Sequence, residues 1–263
     1  MAFSVHPTAV VDPAARIAEG CAIGPYCVVG PHVELGQDVI LKSHVVVEGH
    51  TSIGAGTVVW PFASLGGAPQ DLKYRGEASR LVIGKNNRIR EYVTMNTGTE
   101  GGGMETRVGD NGLFMAGVHV AHDCRVGNSA VLANNVGLAG HVEVGDNVVI
   151  GALAGVHQFV RIGSHAMIGG MSAVDADIIP YGLVKGDRAF LAGLNLVGLE
   201  RRGFPKDGIN DLRTAFRALF GQDKTMVERM ESVRASHGSN PLVQTLLAFM
   251  AERTSRAMTM PRG

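Results

Sequence analysis

The stretch VGDNGLFMAGVHVAHDCRVGNSAVLANNVGLAGHVEVGDNVVIGALAGVHQFVRIGSHAMIGGMSAV occupies residues 108–174. An apolar residue stands at every sixth position in it: Val108, Phe114, Val120, Val126, Leu132, Leu138, Val144, Ile150, Val156, Ile162, Ile168 and Val174. Six is neither a helical period nor the alternation of an ordinary strand. It fits a short strand and a tight turn, repeated. Three such units close a triangular coil of 18 residues, and stacked coils make a parallel β-helix. One aliphatic per unit faces inward, while Gly, Asn or Asp takes the turn conformations. The spacing alone does not fix the handedness of the coil.

The same period runs upstream through Val5, Val11, Ile17, Ile23, Val29, Leu35, Leu41, Val47, Ile53, Val59 and Leu65. It breaks over 66–82 and resumes at Ile83, Ile89 and Met95. A second break over 96–107 shifts the phase by one. The first break, GGAPQDLKYRGEASRLV, is expected to be a loop leaving the prism and carries Asp71, Lys73 and Tyr74. The second contains Gly101-Gly102-Gly103 without a Walker Lys-Ser/Thr, which reads as a flexible turn and not a phosphate cradle. From about 181 the period stops. Asn210–Phe220 has apolar residues at helical spacing. Thr225 and Glu228 form a capping-box pattern, and Asn240-Pro241 a cap with an N1 proline. The expected organisation is a β-helix over 1–180 with insertions near 66–82 and 96–107, then a helical domain over 181–263.

Composition agrees. The 263 residues are 45% hydrophobic and only 5% aromatic, with 36 Gly and no net charge. A narrow prism has little room for rings. Neither disorder nor a Gly-X-Y collagen repeat fits. No apolar run is long enough to span a membrane, and the first residues lack the pattern of a secretory signal, so a cytoplasmic protein is expected. Cys21, Cys27 and Cys124 each precede a repeat aliphatic by two residues and read as small core fillers in a reducing compartment. Residues 1–180 carry 11 basic and 16 acidic side chains, and 181–263 carry 13 and 8. The basic tail is a solvated surface or a site for an acidic partner. Without a recognition motif or stacking aromatics, no nucleic-acid partner is expected.

An 18-residue coil converts spacing into position, because residues 18 apart stack one rung, about 4.8 Å, apart. His122 then lies below Gly140 and Gln158, Asp123 below His141, and position 139 below His157. His119 sits just before them. His is the natural general base near neutrality. Asp123 is placed to fix its tautomer, and the bare Gly140 N–H to meet an oxyanion. No Ser or Cys nucleophile stands at the centre, which favours direct transfer over a covalent intermediate. His32, His44 and His50 read as surface turn residues. A zinc site from His119, His122 and His141 is a competing reading; a non-catalytic scaffold is another.

The segments HVAHDCRVG (119–127), LANNVGLAGHV (132–142), GVHQFV (155–160), QDLKYRGE (70–77) and LNLVGLERRGF (194–204) closely resemble the UDP-N-acetylglucosamine O-acyltransferase family. The resemblance covers nearly the whole chain. It implies an all-β, left-handed parallel β-helix with a C-terminal α-helical domain, assembled as a homotrimer, with neither metal nor organic cofactor. The implied reaction moves an (R)-3-hydroxyacyl group from acyl carrier protein to the 3-hydroxyl of UDP-N-acetylglucosamine, the first step of lipid A synthesis. By the same resemblance His122 is the base, Asp123 its orienting carboxylate and Gly140 the oxyanion donor. Asp71, Lys73, His119, His141, His157, Gln158, Asn195, Arg201 and Arg202 are implied substrate contacts, and Gly170 the position that gauges acyl length. Gly170 lies roughly 13 Å beyond His122 along the axis, and its open space suggests a chain of about fourteen carbons. Arg188 and Val197 depart from the family pattern, where a His and an acidic residue are expected. Related enzymes of the hexapeptide class that use acetyl-CoA are the alternative.

Overall fold

The structure is a computed structural model that describes residues 3–221, 223–252 and 254–262. The hexapeptide units form the expected parallel β-helix. Most units supply a two-residue strand, and the strands stack into three flat faces of eleven, nine and eight strands. Every pairing between units of the repeat is parallel, with His119↔Gly137↔Gly155↔Ala173 on the nine-stranded face at the 18-residue step. Arg107↔Arg125↔Glu143↔Arg161 runs the same way on the eight-stranded face.

The interior is filled by the repeat aliphatics, with Phe114, Leu132, Leu138 and Ile150 fully buried. A second inward column lies two residues earlier in each unit. It holds Cys21, Val39, Val45, Val93, Val118, Cys124, Ala130 and Val136, all nearly inaccessible. The expectation of one inward residue per unit was therefore half of the pattern. The second column tolerates small side chains of several kinds, which hides its period from a hydrophobicity reading. Each Cys Sγ donates to a backbone carbonyl of the coil above, at Gly36, Lys42 and Ala139, and none is in a disulfide. Truncating one core aliphatic, for instance Leu138→Ala, should cost about 2–5 kcal/mol.

The third residue after most of the repeat aliphatics sits in the left-handed region, and these are mostly not glycines: Asn86, Asn111, Asp123, Asn135, His141, Phe159 and Met171 all have φ between 57° and 64°. Many of these side chains contact the one a coil away along the three edges. Tyr26, His44, Phe62 and Tyr92 form a ring column on the edge between the eleven- and nine-stranded faces, with centroids 5.0–5.2 Å apart. On the edge between the eight- and eleven-stranded faces, the side chains of Asn128 and Asp146 accept from the backbone N–H of Asp110 and Asn128 below them.

Both insertions leave from the third edge, between the nine- and eight-stranded faces. The first follows Ser64–Gly67 and returns at Arg80–Ile83; the second follows Thr94–Asn96 and returns at Glu105–Val108. Gly66 opens the first, and a Cβ there would stand 2.0 Å from Thr51 Oγ1. The two loops lie on successive coils directly beneath the edge that carries His122 and Asp123.

The chain leaves the repeat near 181 but stays in the eleven-stranded face. Gly182–Lys185 pairs with Met167–Ile168 and then antiparallel with Phe190–Leu194. Four helices follow: α1 (Leu196–Arg201), α2 (Lys206–Leu219), α3 (Met226–His237) and α4 (Pro241–Ala251). The Thr225–Glu228 capping box opens α3, and Asn240 caps α4 with Pro241 at its first turn. The short α1 was not legible in the sequence. Among the described residues, no helix is long and apolar enough to cross a membrane.

Candidate active site

The turn after Val120 carries His122 outward and returns Asp123 into the prism wall. Asp123 Oδ2 lies 2.8 Å from His122 Nδ1. The carboxylate is buried, and it also accepts from the Thr99 N–H at 2.8 Å and the Thr99 hydroxyl at 2.6 Å. Its own backbone N–H donates to Thr106 Oγ1 at 2.7 Å. An ionised carboxylate only accepts, so His122 Nδ1 carries the proton and Nε2 keeps a free lone pair. That is the tautomer a general base needs.

Two glycines close over this pair. A Cβ on Gly140 would lie 2.5 Å from His122 Cε1 and 2.7 Å from Nε2. A Cβ on Gly102 would lie 1.9 Å from the Asp123 carboxyl carbon. The Gly-rich second insertion is thus a lid packed on Asp123, not merely a flexible turn. Among the described residues, the Gly140 N–H has no hydrogen-bond partner, and it lies at the rung where the imidazole points.

His141 stands edge-on to His122, with ring centroids 5.1 Å apart, and stacks on Phe159 at 4.4 Å. Its Nε2 is 3.8 Å from Asp123 Oδ2. Burial pushes the His141 imidazolium down in pKa, with Asp123 opposing and the Asp71 and Lys73 charges acting from the first insertion. His119, on the nine-stranded face, holds Thr94 Oγ1 through Nδ1 at 2.7 Å. Burial lowers its pKa, aided by the nearby His122. His157 and Gln158 are exposed on the next coil of the same edge. The insertion that carries Asp71 and Lys73 is stapled at its base by Asn96, whose Nδ2 donates to Gly67 O and Ala68 O.

The described residues that best approximate a metal-binding group are His122, Asp123 and His141, with ligand atoms within 4.8 Å of one another. His119 is not in that group. The donor set expected for zinc is therefore not assembled.

Not every sequence-derived residue converges here. Asn195 caps α1, accepting from the Gly198 N–H and donating to His165 O. Arg202 donates to Asn147 O, and with Arg201 it lies exposed beside the edge between the eight- and eleven-stranded faces. Gly170 lies on the aromatic edge, between Ile168 and Met171. Its axial offset from His122 understates their separation, because the two residues project from different edges of one chain. Arg188 pairs with Asp175 at 3.1 Å; both line a groove on the nine-stranded face that begins at His119. Val197 is exposed on α1. Thr99, Thr106 and Gly102 were missed by the sequence reading, since the insertions have no period from which to place them.

Comparison with known proteins places the chain. Residues 14–49 match the bacterial transferase hexapeptide family (six repeats), and residues 177–259 match UDP N-acetylglucosamine O-acyltransferase, domain 2. The acyl-[acyl-carrier-protein]–UDP-N-acetylglucosamine O-acyltransferase of Caulobacter vibrioides is 50% identical over 258 residues, 98% of each chain. The enzyme of the same name from Methylobacterium radiotolerans is 63% identical over 204 residues, 78% of this chain and 75% of its own. The structure of UDP-N-acetylglucosamine acyltransferase from Campylobacter jejuni superposes with a TM-score of 0.93 at 40% identity, covering 98% of this chain and all of that one. With half of its residues shared over nearly its full length, this protein belongs to the acyl-[acyl-carrier-protein]–UDP-N-acetylglucosamine O-acyltransferase family.

Proposed function

We propose that the protein transfers an (R)-3-hydroxyacyl group from acyl carrier protein to the 3-hydroxyl of UDP-N-acetylglucosamine, as the opening step of lipid A synthesis, with His122 as general base. The observation that carries this is the oriented pair: His122 Nδ1 on a buried, multiply bonded Asp123, with Nε2 free under an unpartnered Gly140 N–H.

His122 Nε2 takes the proton of the sugar hydroxyl as its oxygen attacks the thioester carbonyl. The Gly140 N–H stabilises the oxyanion of the tetrahedral intermediate. The carbon–sulfur bond breaks, and the imidazolium returns its proton to the departing thiolate. Asp123 stabilises the imidazolium and holds the ring in place. A thioester is already activated, so the chemistry calls for neither metal nor organic cofactor.

Asp71, Lys73, His119, His141, His157 and Gln158 border the same edge and are read as substrate contacts. Asn195, Arg201, Arg202 and Gly170 lie on other edges of the chain, so a substrate touching all of these groups has to bridge two copies. This supports a homotrimer with composite sites and keeps Gly170 as a length gauge supplied by a neighbour. The surplus of basic residues after 180, with Lys206, Arg213 and Arg217 exposed on α2, suits an acidic carrier protein. Free buried cysteines suit the cytoplasm.

The test is incubation with UDP-N-acetylglucosamine and 3-hydroxyacyl thioesters of either acyl carrier protein or coenzyme A, over a series of chain lengths. Transfer from the carrier protein, strongest near fourteen carbons, is expected. Transfer from acetyl-CoA alone, or no acylated sugar nucleotide at all, overturns the reading.

A further inference from the structure

After α4 the chain does not drift into solvent. Residues 254–262 return across the upper coils and are fastened on both sides of Arg256. Thr254 Oγ1 donates to the buried Asp177 carboxylate at 2.9 Å, and Asp177 N–H to Ala257 O at 2.8 Å. Thr259 N–H donates to Asp177 O at 2.8 Å, and Leu191 N–H to Met260 O at 3.0 Å. Arg262 stacks over Phe190 at 4.1 Å. This anchored strap delivers the Arg256 guanidinium to the candidate active edge. Its Nη2 lies 2.6 Å from His157 Nδ1, and its Nε donates to Gln158 O at 3.0 Å.

A guanidinium has only donors. His157 Nδ1 also lies 3.3 Å from Gln158 O, but the guanidinium is nearer at 2.6 Å and Gln158 O already accepts from Arg256 Nε, so Nδ1 accepts from Arg256 and the ring proton sits on Nε2. His157 also borders the groove on the nine-stranded face, with Gly155 and Ala173 in its floor and His119 at its start.

We propose that Arg256 is a positioning residue for acyl transfer, which holds His157 as a neutral Nε2–H donor. His157 then gives a hydrogen bond to a substrate oxygen and does not compete with His122 as a second base. The proposal rests on the acyltransferase reading for its kinetic consequence only; the tautomer is a property of the free protein.

The experiment uses the full-length protein with 15N-labelled histidine, observed by long-range proton–nitrogen correlation spectra and assigned with His157→Gln. Wild type should show His157 protonated on Nε2 alone near neutral pH. Arg256→Met should release the ring into mixed tautomers and raise KM by about tenfold with kcat little changed, as loss of a uniform binding contact does. Adding Arg256→Met to His157→Gln should bring no further loss, because both remove one interaction. If Arg256→Met does not fold, Arg256→Lys keeps a single donor and should retain the Nε2–H form with a smaller rise in KM. An unchanged tautomer in Arg256→Met, a protonated Nδ1 in wild type or in Arg256→Lys, or full additivity with His157→Gln overturns the proposal. A protein that shows the expected tautomer but no acyl transfer refutes the function and leaves the Arg256–His157 contact standing.

Discussion

Thr99 gives both of its donors to Asp123, the backbone N–H at 2.8 Å and the hydroxyl at 2.6 Å. The second insertion therefore exists in part to hold the carboxylate that holds the base. Thr99→Val keeps the backbone bond and the shape but removes the hydroxyl. A hydrogen bond to a charged group contributes about 1.5–3 kcal/mol, so kcat should fall by roughly ten- to a hundredfold. Thr99→Ser should stay near wild type. Steady-state kinetics of both variants, with circular dichroism to confirm folding, checks this; equal kcat in Thr99→Val and wild type contradicts it.

Gly140 matters through its missing side chain. A methyl there collides with the His122 ring at 2.5–2.7 Å. Gly140→Ala should fold, since the three atoms nearest the added methyl all belong to the His122 side chain and none to a core aliphatic, but its imidazole must swing aside. A displacement near 1 Å at a reacting group costs on the order of a hundredfold. The expected result is a kcat reduced by that order with KM nearly unchanged. A variant within twofold of wild type would show that the ring has room to spare.

His119 and His141 both have their pKa lowered by burial in the folded state. The unfolded chain therefore binds their protons first as pH falls below about 6.5, so unfolding is favoured in that direction. Stability should decline as pH drops through and below that value, and His119→Gln with His141→Asn should flatten the decline. Urea unfolding between neutral and mildly acidic pH measures it. Parallel stability curves for the two proteins would refute the assignment.

Burial pushes the Cys124 thiol up to about 12 and raises Cys21 and Cys27 in the same direction. The thiolate is the reactive form. All three should resist alkylation at neutral pH in the native protein and react fully in denaturant. Rapid labelling of the folded protein would place at least one of them outside the core.

How far the sequence could be read follows from where the winding is regular. Between Val108 and Val174 each 18-residue step is a real pairing, so the stacking of His122 under Gly140 and Asp123 under His141 was legible before any coordinates. Phe159 over His141 followed from the same step. The insertions obey no period, so Thr99, Gly102 and Asn96 were invisible, although the fact that both loops leave after the same face was countable. Gly170 shows what coil counting leaves out: it gives an axial offset, whereas the turn between Met167–Ile168 and Ala173–Val174 puts Gly170 on a different edge from His122. Arg256 lies in a tail whose return path is set by Asp177 and carries no local pattern.

The central claim is that the His122 imidazole does the proton transfer. The most direct measurement is the turnover of His122→Ala with a 3-hydroxyacyl carrier-protein thioester and UDP-N-acetylglucosamine, alongside its thermal unfolding midpoint. The account predicts a folded protein whose kcat has dropped by about a hundred- to ten-thousandfold. A folded His122→Ala that turns over at close to the wild-type rate would contradict it.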